Sequence, residues 1–452
     1  MQIADVWPLT PLQQGLLFHA STAYGDADVY AAQLAITLTG PLDPHRLRDA
    51  VHTVVNRHPN LVARFNAELD DPVQLIPADP EPGWSYVEFG AGDGDVDEQI
   101  RELCAQERAA VYDLADQPAF RAALIRTAPD AHRFVLTNHH IVMDGWSSPI
   151  LLGEIFAAYT GQRLPAPAPY RRFVSWLAER DLDAARAVWG EVLAGFDTPT
   201  LVGPAGRLRL GRRSIASYRV PEQTTRALSE LARLHHTTVS TVLQAAFAQL
   251  LCALTGQHDV AFGTTVSGRP TEVFGAESMV GLLINTVPVR AKITATTTTA
   301  ELLHQLQSAH SQTLEHEHLA LSDIHRITGH DQLFDTLLVY ENYPIDTAVL
   351  SASQELSVSD VTTREHTHYP LTVQAQPGRE LNLRVEYDTE VFDTVSIEAL
   401  IARFARVLAA MSADPTRSLS SLDVLDEPEH ARLDQWGNRA ALTRPASPAL
   451  SV

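Results

Sequence analysis

Cysteine is nearly absent: two residues in a chain of 452 offer no disulfide framework. Cys104 and Cys252 stand far apart in segments that read as helices, so reduced thiols acting as small apolar side chains are expected, as in a cytoplasmic protein. Long apolar runs are missing as well. No stretch approaches the roughly 20 residues that cross a bilayer, and the opening ten residues are neither basic nor continuously apolar, so no signal peptide is read. Positive charge is scarce: 34 Lys and Arg against 55 Asp and Glu leave a formal charge of −21. That balance argues against nucleic acid and anionic membrane as partners. Arg207, Arg209, Arg212 and Arg213 are a local exception, read as a solvated loop. The Gly90–Asp97 loop lacks the glutamate that would close a calcium site, and no metal is expected.

What is present suits a large α/β protein. Apolar residues make up 45% of the chain, and its length exceeds what one core usually supports, so two lobes are expected. Thr10, Pro11 and Gln13 form a capping box. A strand over 29–39, a helix opened by Asp43-Pro44, a hairpin over 61–66 and 72–77, a helix over 97–111 and paired strands over 119–127 and 132–138 follow. One long helix is predicted over 170–193. The Pro/Thr/Gly-rich stretch 195–206 reads as the boundary after it. Beyond it come strand 213–219, helix 221–236, a fully buried helix 240–255, strand 259–265, strand 279–290 with Pro288 marking a sheet edge, helix 298–317, strand 335–340, strand 381–387 and helix 394–411.

The densest chemical signal is Arg133–Ser147: a β-branched strand, a turn carrying His139, His140, Asp144 and Gly145, then an apolar helix capped by Ser147 or Ser148 and stopped by Gly161. Adjacent strand residues point to opposite faces, so one histidine faces a cleft and the other packs. A metal would need at least three converging ligands, and His140 with Asp144 supplies two at most. A single cleft-facing imidazole suits proton transfer from a nucleophile. Asp144 in an apolar turn needs a cation, and Gly145 allows close approach of backbone or substrate.

His139-His140-Ile-Val-Met-Asp144-Gly145-Trp146-Ser147 resembles the active-site motif (His-His-x-x-x-Asp-Gly) of condensation domains of non-ribosomal peptide synthetases, relatives of chloramphenicol acetyltransferase. Pro8–His19, Arg57–Phe65, Tyr170–Trp176, Val280–Arg290, Glu315–Leu321 and Phe334–Pro344 are similar to the family's other motifs, in its order. Arg432–Asn438 resembles the linker toward an adenylation domain.

The resemblance implies two chloramphenicol-acetyltransferase-like lobes, residues 1–177 and 178–425, forming a V-shaped pseudo-dimer around a central tunnel, with 426–452 as linker. It implies an acyltransferase that joins a donor acyl or peptidyl thioester to the α-amine of an acceptor aminoacyl thioester. The domain itself binds no cofactor; phosphopantetheine arms of an upstream donor and a downstream acceptor peptidyl carrier protein deliver the substrates to a monomeric domain. His140 is then the catalytic residue, as general base or as a group positioning the amine. His139, Asp144, Gly145 and Arg269 support it, with Arg269 pairing Asp144, and Trp146, Ser147 and Asn285 are substrate-lining candidates. Pro8–Gly15 with Val142–Trp146 is similar to the subtype accepting a D-configured donor. An epimerisation domain, an inactive recruitment domain and a coenzyme A acyltransferase are the alternatives.

Overall fold

The computed structural model describes residues 2–22, 29–89, 95–110, 113–204, 211–342 and 356–437. Arg207, Arg209, most of the Gly90–Asp97 loop, Tyr343-Pro344 and the 443–452 end lie outside these residues. The early strands are β1 (Ile3–Pro8), β2 (Ala31–Thr39), β3 (Arg64–Asn66), β4 (Val73–Pro77), β5 (Gly83–Glu88), β6 (Phe120–Ala128) and β7 (Ala131–His139). The later ones are β8 (Arg213–Val220), β9 (Asp259–Val266), β10 (Asn285–Lys292), β11 (Thr336–Tyr340), β12 (Ser357–Arg364), β13 (Leu371–Gln376) and β14 (Leu381–Asp388). They form a small sheet β1-β4-β3, a five-stranded sheet β12-β2-β7-β6-β5 and a six-stranded sheet β10-β9-β11-β13-β14-β8.

β6 and β7 pair antiparallel, as expected of strands 119–127 and 132–138 joined by the turn at Asp130, and β7 runs between β6 and β2 to end at His139. β10 is an edge strand, which accommodates Pro288 because a proline gives no N–H to a ladder. Late residues return to the first half. β12 pairs antiparallel with β2, placing Arg364 beside Gln33. The core around Phe65, Phe134 and Phe156 also takes in Val273, Met279, Leu282 and Leu356. The stretch 178–425 thus feeds both cores. The second core surrounds the helix Val239–Thr255, capped by Thr238 and stopped by Gly256 in the left-handed conformation.

Three expectations need correction. The helix predicted over 170–193 is two helices, Arg171–Ala178 and Leu182–Val192; Asp181 leaves helical geometry and accepts from the amides of Asp183 and Ala184, capping the second. The strand predicted from Met279 begins only at Asn285, because the backbone of residues 280–283 bonds to side chains of the first half instead of a neighbouring strand. Arg213 is not solvated: its guanidinium is buried, donates to the Tyr369 carbonyl at 2.7 Å and lies 3.5 Å from Glu386. Arg212 is exposed as expected. Both cysteines are free and half-buried in helices. Burial raises both thiol pKa values, that of Cys252 to about 12, so the thiols stay protonated.

Candidate active site

β7 and β2 deliver the histidine pair. The His140 amide donates to the Tyr30 carbonyl at 2.9 Å, and a single 3-10 turn, His140–Val142, follows directly. That geometry separates the rings. His139 is wholly buried and its Nδ1 accepts from the Ile141 amide at 3.0 Å, so it caps the turn. His140 faces a cavity of about 2030 Å³ whose wall includes Leu16, Tyr30 and Trp146 from early residues and Gln244, Asn285 and Tyr340 from late ones.

The turn is locked by Asp144. Its Oδ1 accepts from the Ser147 amide at 2.9 Å, the Ser147 hydroxyl at 2.8 Å and Arg269 Nη2 at 3.1 Å; its Oδ2 accepts from the Leu283 amide at 2.9 Å. Neither partner of the ion pair has appreciable access to water, with the Asp144 side chain 0% and that of Arg269 6% exposed. A carboxylate this dry is tolerable because four donors converge on it and one of them is a cation. Arg269 also donates to the carbonyls of Ala276 and Met279, so it pins residues 276–283 against the turn.

Ser147 departs from expectation twice. The helix Ser147–Tyr159 has no side-chain cap, and the Ser147 hydroxyl lies sealed between Asp144 and the Gly281 carbonyl rather than at the cavity wall. Trp146 and Gly145 do line the cavity. Asn285 is at the wall, but its amide donates to the carbonyls of Glu317 and Leu319 at 2.7 and 2.8 Å, tying down that loop. Two glycines make the close fit: a Cβ on Gly281 would sit 2.4 Å from the Tyr170 ring, and one on Gly268, at φ +57°, 1.7 Å from the Leu283 carbonyl oxygen.

Sequence reasoning missed Glu365 and His368. Both come from the ionisable run Arg364-Glu-His-Thr-His-Tyr369, whose density between two strands was the available signal. Glu365 Oε2 lies 3.5 Å from His140 Nε2, with the side chains 22% and 18% exposed. Burial by itself would lower the His140 pKa, but the Glu365 carboxylate, then Asp144 and the Met143 backbone, outweigh it and raise the value. Burial conversely favours a neutral Glu365, and the His140 contact overrides it, so the carboxylate is held below its usual range. His368 stacks on His19 at 4.1 Å and contacts the Tyr30 hydroxyl; burial, with His19 and Arg213 nearby, keeps it neutral. Across the cavity, burial raises the Glu317 carboxyl to about 7. Among the described residues no three His, Cys, Asp or Glu side chains converge as a metal site, and no single helix is long and apolar enough to cross a membrane.

Residues 3–433 match the family model for the condensation domain. Chondramide synthase cmdD of Chondromyces crocatus is 34% identical over 95% of this chain and 12% of its own length. Bacitracin synthase 3 of Bacillus licheniformis is 31% identical over 98% of this chain and 7% of its own length. The chain therefore spans a small fraction of these relatives. Among solved structures, the first condensation domain of the calcium-dependent antibiotic synthetase, in complex with a substrate analogue, superposes with a TM-score of 0.76 at 20% identity, covering 94% of this chain and all of that one. The X-domain from teicoplanin biosynthesis gives 0.79 at 22% identity, over 92% and 97%.

Proposed function

The chain belongs to the condensation-domain family of non-ribosomal peptide synthetases, and from that premise we propose that it is catalytic and forms a peptide bond between two carrier-bound thioesters. The observation carrying this reading is His140, whose Nε2 is presented to a cavity lined by both halves of the chain. At about 2030 Å³ that cavity is roughly twice the upper end of a small-molecule pocket, room for two substrates at once.

The donor acyl or peptidyl group and the acceptor aminoacyl group arrive on phosphopantetheine arms of two carrier proteins, with an adenylation domain as a neighbour in the same assembly. The α-amine nitrogen attacks the donor's thioester carbonyl. As the C–N bond forms, an N–H proton passes to His140 Nε2; the C–S bond then breaks, and the leaving thiolate takes that proton from the imidazolium. The protein's largest contribution is bringing two tethered groups together, for which about 7–11 kcal/mol is available; positioned proton transfer adds about 10²–10⁴-fold.

The donor is read as D-configured on its C-terminal residue, from the Pro8–Gly15 run with Val142–Trp146. Gln14 and Gly15 of that run line the cavity, which supports a part in substrate choice, whereas Met143 is buried behind it. The test presents the chain with a panel of D- and L-peptidyl donor thioesters and aminoacyl acceptor thioesters on two carriers and reads products by mass. A condensed product from D-donors only is expected. Racemised donor without condensation would establish an epimerisation domain, and no turnover across the panel together with retention of a partner protein would establish a recruitment domain.

A further inference from the structure

Of the groups around the His140 ring, one has no role in the reading above. Asp144 adds a weaker, more distant negative charge that helps raise the ring's pKa, but both its oxygens are committed to Arg269, Ser147 and Leu283, so it does not contact or orient the imidazole. Tyr30 meets the ring edge-on at a centroid distance of 6.4 Å, and its hydroxyl is spent on His368. His139 points into the protein, and His368 lies between His19 and Tyr369. Glu365 remains, a carboxylate 3.5 Å from Nε2 at the cavity wall, with the Met143 backbone contacting the same imidazole.

Glu365 is itself held. Gln374 of β13 donates to its Oε1 at 3.2 Å, and Arg384 of β14 orients Gln374 through its amide oxygen and donates to the Glu365 carbonyl at 3.5 Å. A carboxylate braced from behind by two strands of the six-stranded sheet, and aimed at a ring at the end of the five-stranded sheet, is a fixed negative pole. At 3.5 Å the contact is longer than the 2.7–2.9 Å of a tight charged hydrogen bond, so Nε2 stays within reach of an incoming amine while sharing its proton with the carboxylate once it has one.

We propose that Glu365 is the positioning residue of His140: it fixes the ring's orientation in the cavity and supplies the counter-charge for the imidazolium formed when the acceptor amine gives up its proton. This rests on the proton-transfer reading of His140. The residue acts through the ring and not on substrate, so its loss shows first in how His140 titrates.

The chain is labelled with ¹³C at histidine Cε1 and titrated by NMR, the His140 resonance being the one missing in His140→Asn. In the wild type its midpoint is expected above the ~6.5 of a free imidazole; a wild-type midpoint at or below that value overturns the proposal without any variant. In Glu365→Gln, which keeps the shape and removes the charge, the midpoint is expected to fall while the other histidine resonances stay put, and in Glu365→Asp to fall less. An unmoved midpoint in Glu365→Gln overturns the proposal. The acid limb of the pH–rate profile, followed with the donor and acceptor pair that gives product above, is expected to move to lower pH with the midpoint. A midpoint that falls without the limb following supports the pairing and sinks the general-base role of His140.

Discussion

The two side chains on which most depends, His140 and Asp144, fail in different ways. Replacing His140 by alanine removes a proton acceptor at a cavity wall and no packing of consequence. The expected result is a folded protein whose rate of condensation falls by about 10²–10⁴-fold, read by product mass under single-turnover conditions. Replacing Asp144 by alanine strands a buried guanidinium and the Leu283 amide. A loss of about 3–5 kcal/mol is expected in denaturant unfolding, and an Asp144→Ala protein of near wild-type stability would contradict the locking role. Glu317 reverses the usual sign. Burial raises its pKa to about 7 from an ordinary 4.5, so the folded state holds a proton that the unfolded chain releases, and stability declines as pH rises through that interval. Glu317→Gln should therefore match the wild type near pH 4.5 and exceed it at pH 8, by an amount of order 1–3 kcal/mol in paired unfolding curves. The sequence disclosed the histidine turn through its strand-turn-helix pattern and the Arg269 partner through family resemblance. The ionisable run Arg364–Tyr369 was visible, but not which of its members meets His140, because the approach of Glu365 depends on where two strands of another sheet hold it.

Among the elements, the connection over residues 268–283 does the fitting. Its Gly281 lies so close to the Tyr170 ring, and its Gly268 so close to the connection's own Leu283 carbonyl, that neither has room for a methyl group. Gly281→Ala should cost about 1–3 kcal/mol through overpacking against the Tyr170 ring, with a parallel fall in turnover as the turn shifts; an unchanged melting curve would refute the tight fit. Apolar content and spacing identified the well-buried elements, such as β6, β7 and the helix Val239–Thr255, which is buried on nearly every side. They failed where tertiary contacts replaced local ones. Asp181 broke a helix the apolar spacing would have continued, and Ser147, an ordinary capping residue by type, was drawn into the Asp144 network. β12 escaped notice because its sequence, Ser-Val-Ser-Asp-Val-Thr-Thr-Arg, is mostly exposed and has little apolar content to betray it.

At the scale of the whole molecule, the halves are stitched rather than stacked. Residues 276–283 and β12 belong in sequence to the later part and in contacts to the earlier one. A fragment ending at residue 204 should then lack the partner of Asp144, the edge strand beside β2 and part of its core. It is expected to aggregate or remain partly unfolded, with poor dispersion of its NMR spectrum; a soluble, well-dispersed fragment would show that the stitching is dispensable.

That β12 edge has a consequence in time. The Thr39 end of β2 finds its neighbour, Ser357, 318 residues further along the chain. A ribosome adding about 5–20 residues per second leaves that flank bare for tens of seconds, a template on which a neighbouring nascent chain on the same message could pair. Yield on expression should thus respond to the pace of translation between these points, and slowing it ought to send more of the product into inclusion bodies.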